Sequence, residues 1–559
     1  MPNCFCQACL HCRSGPNFIL SALKTLEYRG YDSAGIYIRE DKLFKTLSRV
    51  DSLKSKIASV DGIDGIGHTR WATHGFSTLN NAHPHQSYHK LITLVHNGII
   101  SNYESIKNFL IKKNYKFYGE TDTEILTNYI EYLYLQHKNP ETILFNLLDD
   151  IQGELAIAFF IKDDPSLYYL KRESPLVIAK KNNTYSLSSD VLAINNFEEF
   201  YYPEDGEMGY ININEQVVYK NYKKTSINFK KEDYSCFSSS KGHFKHYMLK
   251  EIYEEPLVVD RLKKYISTYN LQEIRNLLKN SNKVIILGCG TSYNAGYYIT
   301  KFLNKNNIIS HVASEYKDFE DATYILISQS GETYDLISAV KKIKNTDNII
   351  LLTNNFHSTL ARLVKHVIYL NAGNEIAVAA TKSYISTILL LTYLFKDINY
   401  NEVLSKAKLT IKNTLYKRNE IKQLASKIYK LQSLYCVSKN IGEAILKEAA
   451  LKIKEISYIH AESIYSGELK HGPISTLDKN FGCIFLITDK TMISNIKEVE
   501  ARNSPVFILS EDSNLPASPK EIPYLSAMVY LELLSYEISN LLKRDIDKPR
   551  NLAKSVTVI

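Results

Sequence analysis

The sequence predicts an α+β domain in the first part of the chain, followed by two α/β units with parallel sheets. Residues 150–220 contain short apolar runs separated by turns, which is typical of antiparallel strands. After residue 246, apolar strands alternate with helical stretches, and a second alternation of this kind begins near residue 433. A length of 559 residues agrees with three or four domains at about 150 residues each.

Domain boundaries follow from these changes of pattern. The predicted strands of the first domain are residues 155–161, 166–171, 176–179 and 185–188. A polar, weakly patterned stretch then indicates a linker. We therefore predict a first domain over residues 1–220, a linker over 221–245, an α/β domain over 246–400, and a second α/β domain with a C-terminal tail over 401–559.

The α/β elements are predicted in order along the chain. The predicted strand–helix pairs are 283–287 with 294–303, 324–327 with 333–343, and 349–353 with 359–364. A long helical stretch near 383–430 precedes the next apolar strand at 433–438. This alternation is the βαβ pattern of a parallel sheet covered by helices.

Composition excludes several classes of protein. Hydrophobic residues make up 45% of the chain and charged residues 23%, which is ordinary for a globular protein. The net charge of +8 over 559 residues is too small to indicate nucleic-acid binding. The longest apolar run, 388–395, is much shorter than the ~20 residues of a membrane span. Four of the eight cysteines are scattered, so we expect a reducing, cytoplasmic location. From the net charge and the apolar runs we expect no nucleic-acid or membrane partner.

Two turns after predicted strands are candidates for holding a phosphate. Residues 328–333 (SQSGET) and 288–292 (GCGTS) place hydroxyls, glycine and backbone N–H groups at the start of a helix. Either turn alone is more often a simple capped turn. Two of them in neighbouring βα turns favour a phosphate ligand at the carboxyl edge of one sheet.

Charged residues in the second α/β domain form another candidate. Glu448, Lys452 and Glu455 share one helix face by their i, i+4, i+7 spacing. Such a face is usually a solvated salt-bridge surface. The dense acids, bases and histidines that follow at 460–473 favour a site instead. Composition alone would make the C-terminal residues 547–559 a frayed tail.

The N-terminal motifs favour acyl transfer from an amino acid. Arg70 offers a fork for a carboxylate, Asp122 can hold an ammonium group, and Asn97 with the Gly98 N–H can hold an oxyanion. The histidines nearby match no tetrahedral zinc spacing, and the cysteines at 4, 6, 9 and 12 have no partner motif. We therefore expect neither a metal nor another cofactor.

At these motifs the chain closely resembles the glutamine–fructose-6-phosphate aminotransferase (isomerising) family, the glucosamine-6-phosphate synthases. The resemblance runs from about residue 26 to the C-terminus. The matching strings are LEYRGYDSAG, GHTRWATHG, NAHPH, HNGII, ETDTE, CGTSYN, SQSGET, ALKIKEISYIHAE, GELKHGP and KPRNLAKSVTV. The resemblance implies an α+β N-terminal-nucleophile (Ntn) hydrolase domain, acting as glutaminase, followed by two α/β SIS domains with parallel sheets.

The resemblance also implies roles for residues. Those implied for glutamine binding are Arg70, Thr73 and Asp122, with Asn97 and Gly98 as the oxyanion hole. Those implied for the sugar phosphate are Thr291, Ser292, Ser328, Gln329, Ser330, Thr333, Lys452 and Ala553. Lys554 would form a Schiff base with the open-chain ketose, and Glu455 would move a proton between sugar carbons C1 and C2. His471 would assist ring opening from the neighbouring subunit of a homodimer, and Trp71 would gate an ammonia channel.

The first residues depart from the family. Its glutaminase nucleophile is a cysteine with a free α-amino group, followed by Gly-Ile. Counting back from LEYRGYDSAG places Cys4 at this position, where its nitrogen is acylated by Asn3. We expect an inactive glutaminase unless three residues are removed. A short propeptide, a wrong start or reading frame, and a decayed glutaminase all remain open. Ala380 also stands where the family has a serine near the sugar.

The sequence therefore leaves three functional hypotheses. The leading one is synthesis of glucosamine 6-phosphate from fructose 6-phosphate and L-glutamine by a homodimeric amidotransferase. The second is an ammonia-dependent synthase or a sugar-phosphate isomerase with an inactive glutaminase. The third is a non-catalytic sugar-phosphate-binding protein, against which the retention of Glu455, His471 and Lys554 together argues, because binding alone does not need them.

Overall fold

The chain folds into two compact units, residues 1–239 with 555–559, and residues 240–554. The structure, a computed structural model, describes residues 5–10, 15–27, 30, 32–39, 42–70, 77–194, 196–231, 241–317, 319, 321–356 and 358–555, with backbone alone for 5–10 and 192. Each unit is described by itself below.

Among the residues described, the first unit is built from short strands and five α-helices. The strands are β1 (Phe5–Leu10), β2 (Ser33–Ile38), β3 (Lys42–Thr46), β4 (Gly65–Arg70), β5 (His85–Gln86), β6 (Ile92–Ile100), β7 (Gly153–Ile161), β8 (Leu167–Arg172), β9 (Val177–Lys181), β10 (Thr184–Ser188), β11 (Glu199–Tyr201), β12 (Glu207–Ile211), β13 (Gln216–Lys220), β14 (Lys223–Thr225) and β15 (Lys230–Lys231). The helices are α1 (Gly15–Leu26), α2 (Lys54–Ile57), α3 (Tyr103–Lys112), α4 (Asp122–His137) and α5 (Pro140–Asp150).

These strands form two antiparallel sheets. The sheet orders are β15-β11-β9-β10-β1-β4-β2-β3 and β14-β13-β12-β8-β7-β6-β5. Side chains of both sheets, such as Ile66, Ala158 and Leu187, share one buried core. Helix α1 packs on the first sheet, and α3, α4 and α5 pack on the second. The unit is therefore an α+β domain.

The start of helix α4 is fixed by two capping side chains, Thr121 and Glu124. The Thr121 side chain accepts a hydrogen bond from the Glu124 backbone N–H at 3.2 Å. The Glu124 carboxylate reaches back to the N–H groups of Tyr118 and Gly119, both at 2.8 Å. Such reciprocal capping fixes the entry of the chain into a helix. It places Asp122 in the first turn, beside the end of β6.

The second unit holds two parallel sheets and twelve helices among the residues described. The strands are β16 (Lys283–Gly288), β17 (Ile308–Val312), β18 (Ala322–Ser328), β19 (Ile349–Thr353), β20 (His366–Tyr369), β21 (Ser433–Ser438), β22 (His460–Tyr465), β23 (Phe481–Leu486) and β24 (Val506–Leu509). The helices are α6 (Tyr247–Tyr253), α7 (Glu255–Thr268), α8 (Gln272–Asn280), α9 (Thr291–Leu303), α10 (Tyr334–Lys342), α11 (Thr359–Leu363), α12 (Lys382–Phe395), α13 (Tyr400–Tyr416), α14 (Arg418–Ile428), α15 (Ile441–Ser457), α16 (Ile493–Glu500) and α17 (Leu525–Leu541).

Both sheets of this unit are parallel throughout. Their orders are β17-β16-β18-β19-β20 and β22-β21-β23-β24. A continuous buried core joins the sheets to α9, α12, α13, α15 and α17. Helices α12 and α17 are buried on nearly every side, which explains their almost continuous apolar sequence.

The predicted fold class is confirmed, and the elements differ from prediction mainly at the sheet edges. Strands 349–353 and 433–438 have the predicted bounds. Edge strands β17 and β20 were not predicted, because short strands with polar residues lack a continuous apolar run. The helical stretch near 383–430 is three helices. Strands β14 and β15 lie within the range predicted as linker, and the domain boundaries themselves stay predictions.

Candidate functional site

Each unit contains a cluster of the residues singled out from the sequence. In the second unit, β16 and β18 are neighbours and parallel, so the turns that follow them meet at one edge of the sheet. The turn after β16 leads through Gly290, which has φ +53°, into α9. The turn after β18 leads through Gly331, which has φ +68°, towards α10. The structure therefore brings the two predicted phosphate turns together.

The turn after β18 is ordered by its own hydroxyl groups. Ser328 is buried, its Oγ lies 2.8 Å from the Thr333 hydroxyl, and it accepts the Gly331 N–H at 2.9 Å. The Ser330 Oγ accepts the Glu332 N–H at 3.1 Å. A loop of hydroxyls and backbone N–H groups at the carboxyl end of a parallel strand is suited to hold an anion. Gln329 lies in the same turn and is half-buried.

Helix α15 carries a buried chain of charges beside the start of α9. The Glu448 carboxylate accepts the Thr291 hydroxyl at 2.9 Å and the Asn294 amide at 2.7 Å. Lys452 is 1% exposed, and its Nζ lies 2.6 Å from Glu455 and 3.3 Å from Glu448. The three residues on the predicted face are thus a connected site and not a solvated surface. Ser292, next to Thr291, is half-buried.

Burial and neighbouring charges shift the pKa values of Glu448 and Lys452 in opposite directions. Burial would lower the pKa of Lys452, but the two neighbouring carboxylates outweigh it and raise that pKa. Burial raises the pKa of Glu448 despite Lys452 and its two hydrogen-bond donors. Lys452 is therefore a fixed cation between two acids. Glu455, 20% exposed at its side chain, is the member of the chain that a ligand can reach.

Lys554 has a separate buried partner. Its Nζ donates to the Glu375 carboxylate and to the Ala377 carbonyl, both at 2.7 Å. Glu375 also accepts the N–H groups of Thr381 and Ser383, each at 3.0 Å, and the Ser383 hydroxyl at 2.7 Å. Burial opposes ionisation of Glu375, but Lys554 and Ser383 outweigh it and lower its pKa to about 2. The C-terminal residues before 556 are thus part of a built site.

The remaining predicted residues of this unit lie at its surface or beside these groups. His471 is exposed, and its backbone N–H bonds to the Glu468 carbonyl. Among the described residues, the His471 side chain forms no hydrogen bond or ion pair with Lys452, Glu455 or Lys554 of the same chain. Ala553 and Ala380 are half-buried.

The first unit brings together Asn97, Gly98 and Asp122. Asn97 and Gly98 lie in β6, and Asn97 is 1% exposed. The Asp122 carboxylate accepts the Ile100 N–H at 3.0 Å, which ties the start of α4 to the same strand. Gly98 has φ +129°, and an added Cβ would overlap the Glu154 carbonyl of β7, so only glycine fits here. Arg70 is the last residue of β4 and is buried.

Four buried histidines lie beside these residues. His68 Nε2 lies 3.1 Å from the His96 carbonyl and 3.2 Å from Asn97 Oδ1, so it acts as the donor to both. The His68 ring stacks on His83 at 4.1 Å, and His83 meets His85 edge-on at 4.7 Å. Burial lowers the pKa of His68 to about 3 and that of the other three below the usual range. The cluster is therefore neutral at pH 7.

Three predicted residues lie outside the described part of the chain. They are Cys4, Trp71 and Thr73. The backbone of β1 begins at Phe5, which pairs with Thr69 of β4. Within the described residues, no group of three His, Cys, Asp or Glu side chains is arranged to hold a metal ion. In the same residues, no helix has both the length and the apolar character for a membrane span.

Two functional candidates were not assigned from the sequence. Glu448 was noticed only for its helical spacing with Lys452, and its bonds to Thr291 and Asn294 come from a helix about 150 residues earlier. Glu375 carries no local sequence signal, because its partners Ser383 and Lys554 are brought to it by the fold. Both are buried acids that hold a predicted site residue.

Comparison with known proteins agrees with this division of the chain. A family model described as a glutamine amidotransferase domain matches residues 68–196, and one described as an SIS domain matches residues 277–396. A curated relative from Sulfolobus acidocaldarius, named glutamine–fructose-6-phosphate aminotransferase (isomerizing), is 34% identical over 97% of both chains. The chain belongs to this aminotransferase family. A relative of the same name from Caldanaerobacter subterraneus is 35% identical, again over 97% of each chain.

A solved structure supports the fold of the second unit in this aminotransferase family. It is described as the C-terminal domain of glucosamine-fructose-6-phosphate aminotransferase from Francisella tularensis. It is 29% identical, covers 56% of this chain and all of its own length, and has a TM-score of 0.50. The predicted glutamine amidotransferase and SIS architecture is therefore confirmed.

Proposed function

We propose that this protein converts D-fructose 6-phosphate and L-glutamine to D-glucosamine 6-phosphate and L-glutamate. The observation that carries this proposal is the buried pair of Lys554 and Glu375, in one unit with the Lys452–Glu455 chain and the two anion-binding turns. A binding protein does not need a buried lysine held at 2.7 Å by a carboxylate. A lysine amine is suited to form a Schiff base with a ketose.

The sugar phosphate is proposed to bind at the edge of the first parallel sheet. Ser328, Ser330 and Thr333 would offer hydroxyls, and the backbone N–H groups of the same turn would offer further donors. Gln329, Thr291 and Ser292 flank this edge. Phosphate binding there fixes one end of the substrate, so that the reacting carbons lie at a constant distance from the lysines.

Lys554 is proposed to give up its proton to solvent and to add to the ketose carbonyl at C2, whose oxygen leaves as water when the Schiff base forms. Glu375, with a pKa of about 2, is too weak a base to take that proton, so its role is to position Lys554. Ammonia then adds to C2 and the bond to Lys554 breaks, which releases the lysine amine and leaves the nitrogen on C2, where the product carries it. Glu455 would then move the proton between C1 and C2, with Lys452 and Glu448 holding it in place.

Ring opening is proposed to use His471 from a second copy of the chain. His471 is exposed, and among the described residues no hydrogen bond or ion pair joins its side chain to Lys554 of its own chain. A homodimer would therefore complete each site. We also propose a cytoplasmic enzyme, in agreement with the scattered cysteines.

The first unit is proposed to supply ammonia from glutamine. Arg70, Thr73 and Asp122 would bind the amino acid, Cys4 would be the nucleophile of an Ntn-type glutaminase, and Asn97 with the Gly98 N–H would hold the oxyanion. Among the described residues, Asn97 Nδ2 has no hydrogen-bond partner, and its side chain is only 1% exposed, which supports this last role. Trp71 would gate the passage of ammonia.

The experiment is glucosamine 6-phosphate formation from fructose 6-phosphate, run in parallel with glutamine and with ammonium, on protein whose N-terminus is determined by mass spectrometry. We expect product with both donors and a free Cys4 α-amino group. Product with ammonium alone would contradict the glutaminase proposal and retain the synthase. No product with either donor, from folded protein, would contradict both.

A further inference from the structure

Two glutamates in the core of the second unit face each other. Glu255, the first residue of α7, is 0% exposed, and Glu532 in α17 is 3% exposed. The two side chains lie close enough for each carboxyl group to interact with the other. Neither residue belongs to the proposed reaction, and neither has a place in the sequence motifs.

No other described group bonds to this pair. All four carboxyl oxygens are buried and lack a donor from the rest of the described chain. The two neighbouring lysines form ion pairs with other acids. Lys382 pairs with Glu254 at 2.6 Å, and Lys452 pairs with Glu455 at 2.6 Å and with Glu448 at 3.3 Å. The other titratable groups that face the pair are Glu375, held by Lys554, Glu448, held by Lys452, and the Tyr384 hydroxyl, which donates to neither carboxyl.

Two adjacent buried carboxylates without a cation cannot both be ionised. Each charge would lose its hydration and repel the other, and each effect favours a neutral form. One proton between the two groups removes one charge and supplies the missing donor, since a protonated carboxyl donates to its neighbour. We propose that Glu255 and Glu532 form an acid pair that holds a proton at neutral pH and thereby ties the start of α7 to α17.

The titration of both groups agrees with this geometry. Burial is the largest effect on both groups: it raises the pKa of Glu255 to about 8, although the hydrogen bond with Glu532 lowers that pKa, and it raises the pKa of Glu532 well above its usual range. A folded-state pKa above the unfolded one means that the folded chain binds more protons between the two values. The stability that each group contributes is therefore full below its unfolded pKa and is lost as the pH rises through its folded-state pKa, which is about 8 for Glu255.

The place of the acid pair gives it a structural role. Buried charged residues lie near both members of the pair: Glu375 and Lys382 near Glu255, and Glu448 and Lys452 near Glu532. A second contact joins neighbouring segments. The carboxylate of Asp547, which follows α17, accepts the N–H groups of Tyr247 and Met248 in α6, the helix before α7. The acid pair and Asp547 together anchor α17 and the segment that leads to Lys554.

The test replaces each acid by its neutral isostere, Glu255→Gln or Glu532→Gln, in the full-length protein. A glutamine amide donates to the remaining carboxylate without needing a proton. We expect the variant melting temperature to equal or fall below that of the wild type at pH 5.5, and to exceed it by roughly 2 °C or more at pH 8.5. The control is Glu537→Gln on the same helix, which removes the 2.7 Å bond to Arg418 and should lower the melting temperature at pH 8.5.

Infrared spectroscopy measures the proton directly and does not depend on variant stability. In the wild type we expect a protonated-carboxyl C=O band at pH 7 that weakens as the pH is raised beyond 8. This band should weaken at pH 7 in either glutamine variant and be retained in Glu537→Gln. The proposal is overturned by a wild type without such a band, or by melting-temperature differences that are the same at pH 5.5 and pH 8.5. Neither readout depends on the proposed reaction.

Discussion

At the scale of single residues, Lys554 is the group on which the proposed chemistry depends most. It is buried, and Glu375 and the Ala377 carbonyl fix its Nζ. We predict that Lys554→Arg and Lys554→Ala both abolish glucosamine 6-phosphate formation with either nitrogen donor. Arginine keeps the charge for Glu375 but cannot form a Schiff base. The measurement is product formation under saturating fructose 6-phosphate.

Stability separates the two Lys554 variants. Alanine leaves the Glu375 carboxylate buried without its cation, which costs about 3–5 kcal/mol of unfolding free energy, whereas arginine retains part of the pair. Denaturant unfolding should therefore rank wild type, Lys554→Arg and Lys554→Ala in that order. An active Lys554→Arg enzyme would remove the Schiff-base assignment.

His68 is a second residue-scale case, because it fixes the orientation of Asn97. Its Nε2–H donates to Asn97 Oδ1, which leaves the Asn97 amide N–H groups directed elsewhere. We predict that His68→Ala lowers kcat for glutamine hydrolysis by ~10-fold or more, with a smaller change in KM, since an oxyanion donor acts mainly in the transition state. His68→Gln, whose amide can replace the Nε2 donor, should retain more activity.

Ammonium-dependent synthesis is the internal control for His68. It uses the second unit alone, so it should be unchanged in both variants. Equal glutamine-dependent rates for His68→Ala and the wild type would contradict the positioning role.

Sequence reasoning succeeded for residues with local partners and failed for residues with distant ones. Glu448, Lys452 and Glu455 share a helix face that their spacing predicts, and they are in contact. Glu375 and the Glu255–Glu532 pair have no such spacing, because residues far apart in the chain are joined by tertiary packing. Local periodicity contains no information on such contacts.

At the scale of elements, the turn after β18 depends on one glycine. Gly331 has φ +68°, and an added Cβ would overlap the Ser358 side chain that caps α11. We predict that Gly331→Ala raises KM for fructose 6-phosphate at least ~10-fold, because strain of about 1–3 kcal/mol displaces the hydroxyls of Ser328 and Ser330. The measurement is sugar-phosphate binding by calorimetry together with steady-state kinetics.

Gly467→Ala is the matched control for this turn. Gly467 has φ −66°, and no atom lies within 4 Å of an added Cβ, so affinity should change little. Equal affinities for the two variants would mean that the turn does not hold the phosphate.

The elements themselves were predictable where apolar patterning was strong. The central strands β19 and β21 were predicted to the residue, whereas β17 and β20, at the two edges of the first parallel sheet, were not. Central parallel strands are buried on both faces and have continuous apolar sequences, while edge strands do not. The phosphate turns follow central strands, so their location could be predicted.

At the scale of the whole molecule, the pKa shifts predict that the unfolding free energies of the two units change with pH in opposite directions. In the first unit, burial keeps the four histidines neutral, so its stability is full above pH 6.5 and is lost as the pH falls. In the second unit, burial raises the pKa of Glu251 to about 7 and that of Glu255 to about 8, so its stability is lost as the pH rises from about 4.5 towards 8.

We therefore predict that lowering the pH from 7.5 to 5.5 destabilises the first unit and stabilises the second. Each proton involved changes the unfolding free energy by up to about 1.4 kcal/mol per pH unit, so several groups of one sign outweigh isolated groups of the other. Hydrogen exchange followed by mass spectrometry, corrected for the intrinsic pH dependence of exchange, reports each unit through its own peptides. Peptides of β4 and β6 should lose protection at pH 5.5, while those of α7 and α17 should gain it. Because the proposed synthase site lies in the second unit, ammonium-dependent activity should survive incubation at pH 5.5 longer than glutamine-dependent activity. A loss of protection in both units together would show that the buried histidines and glutamates do not set the pH response.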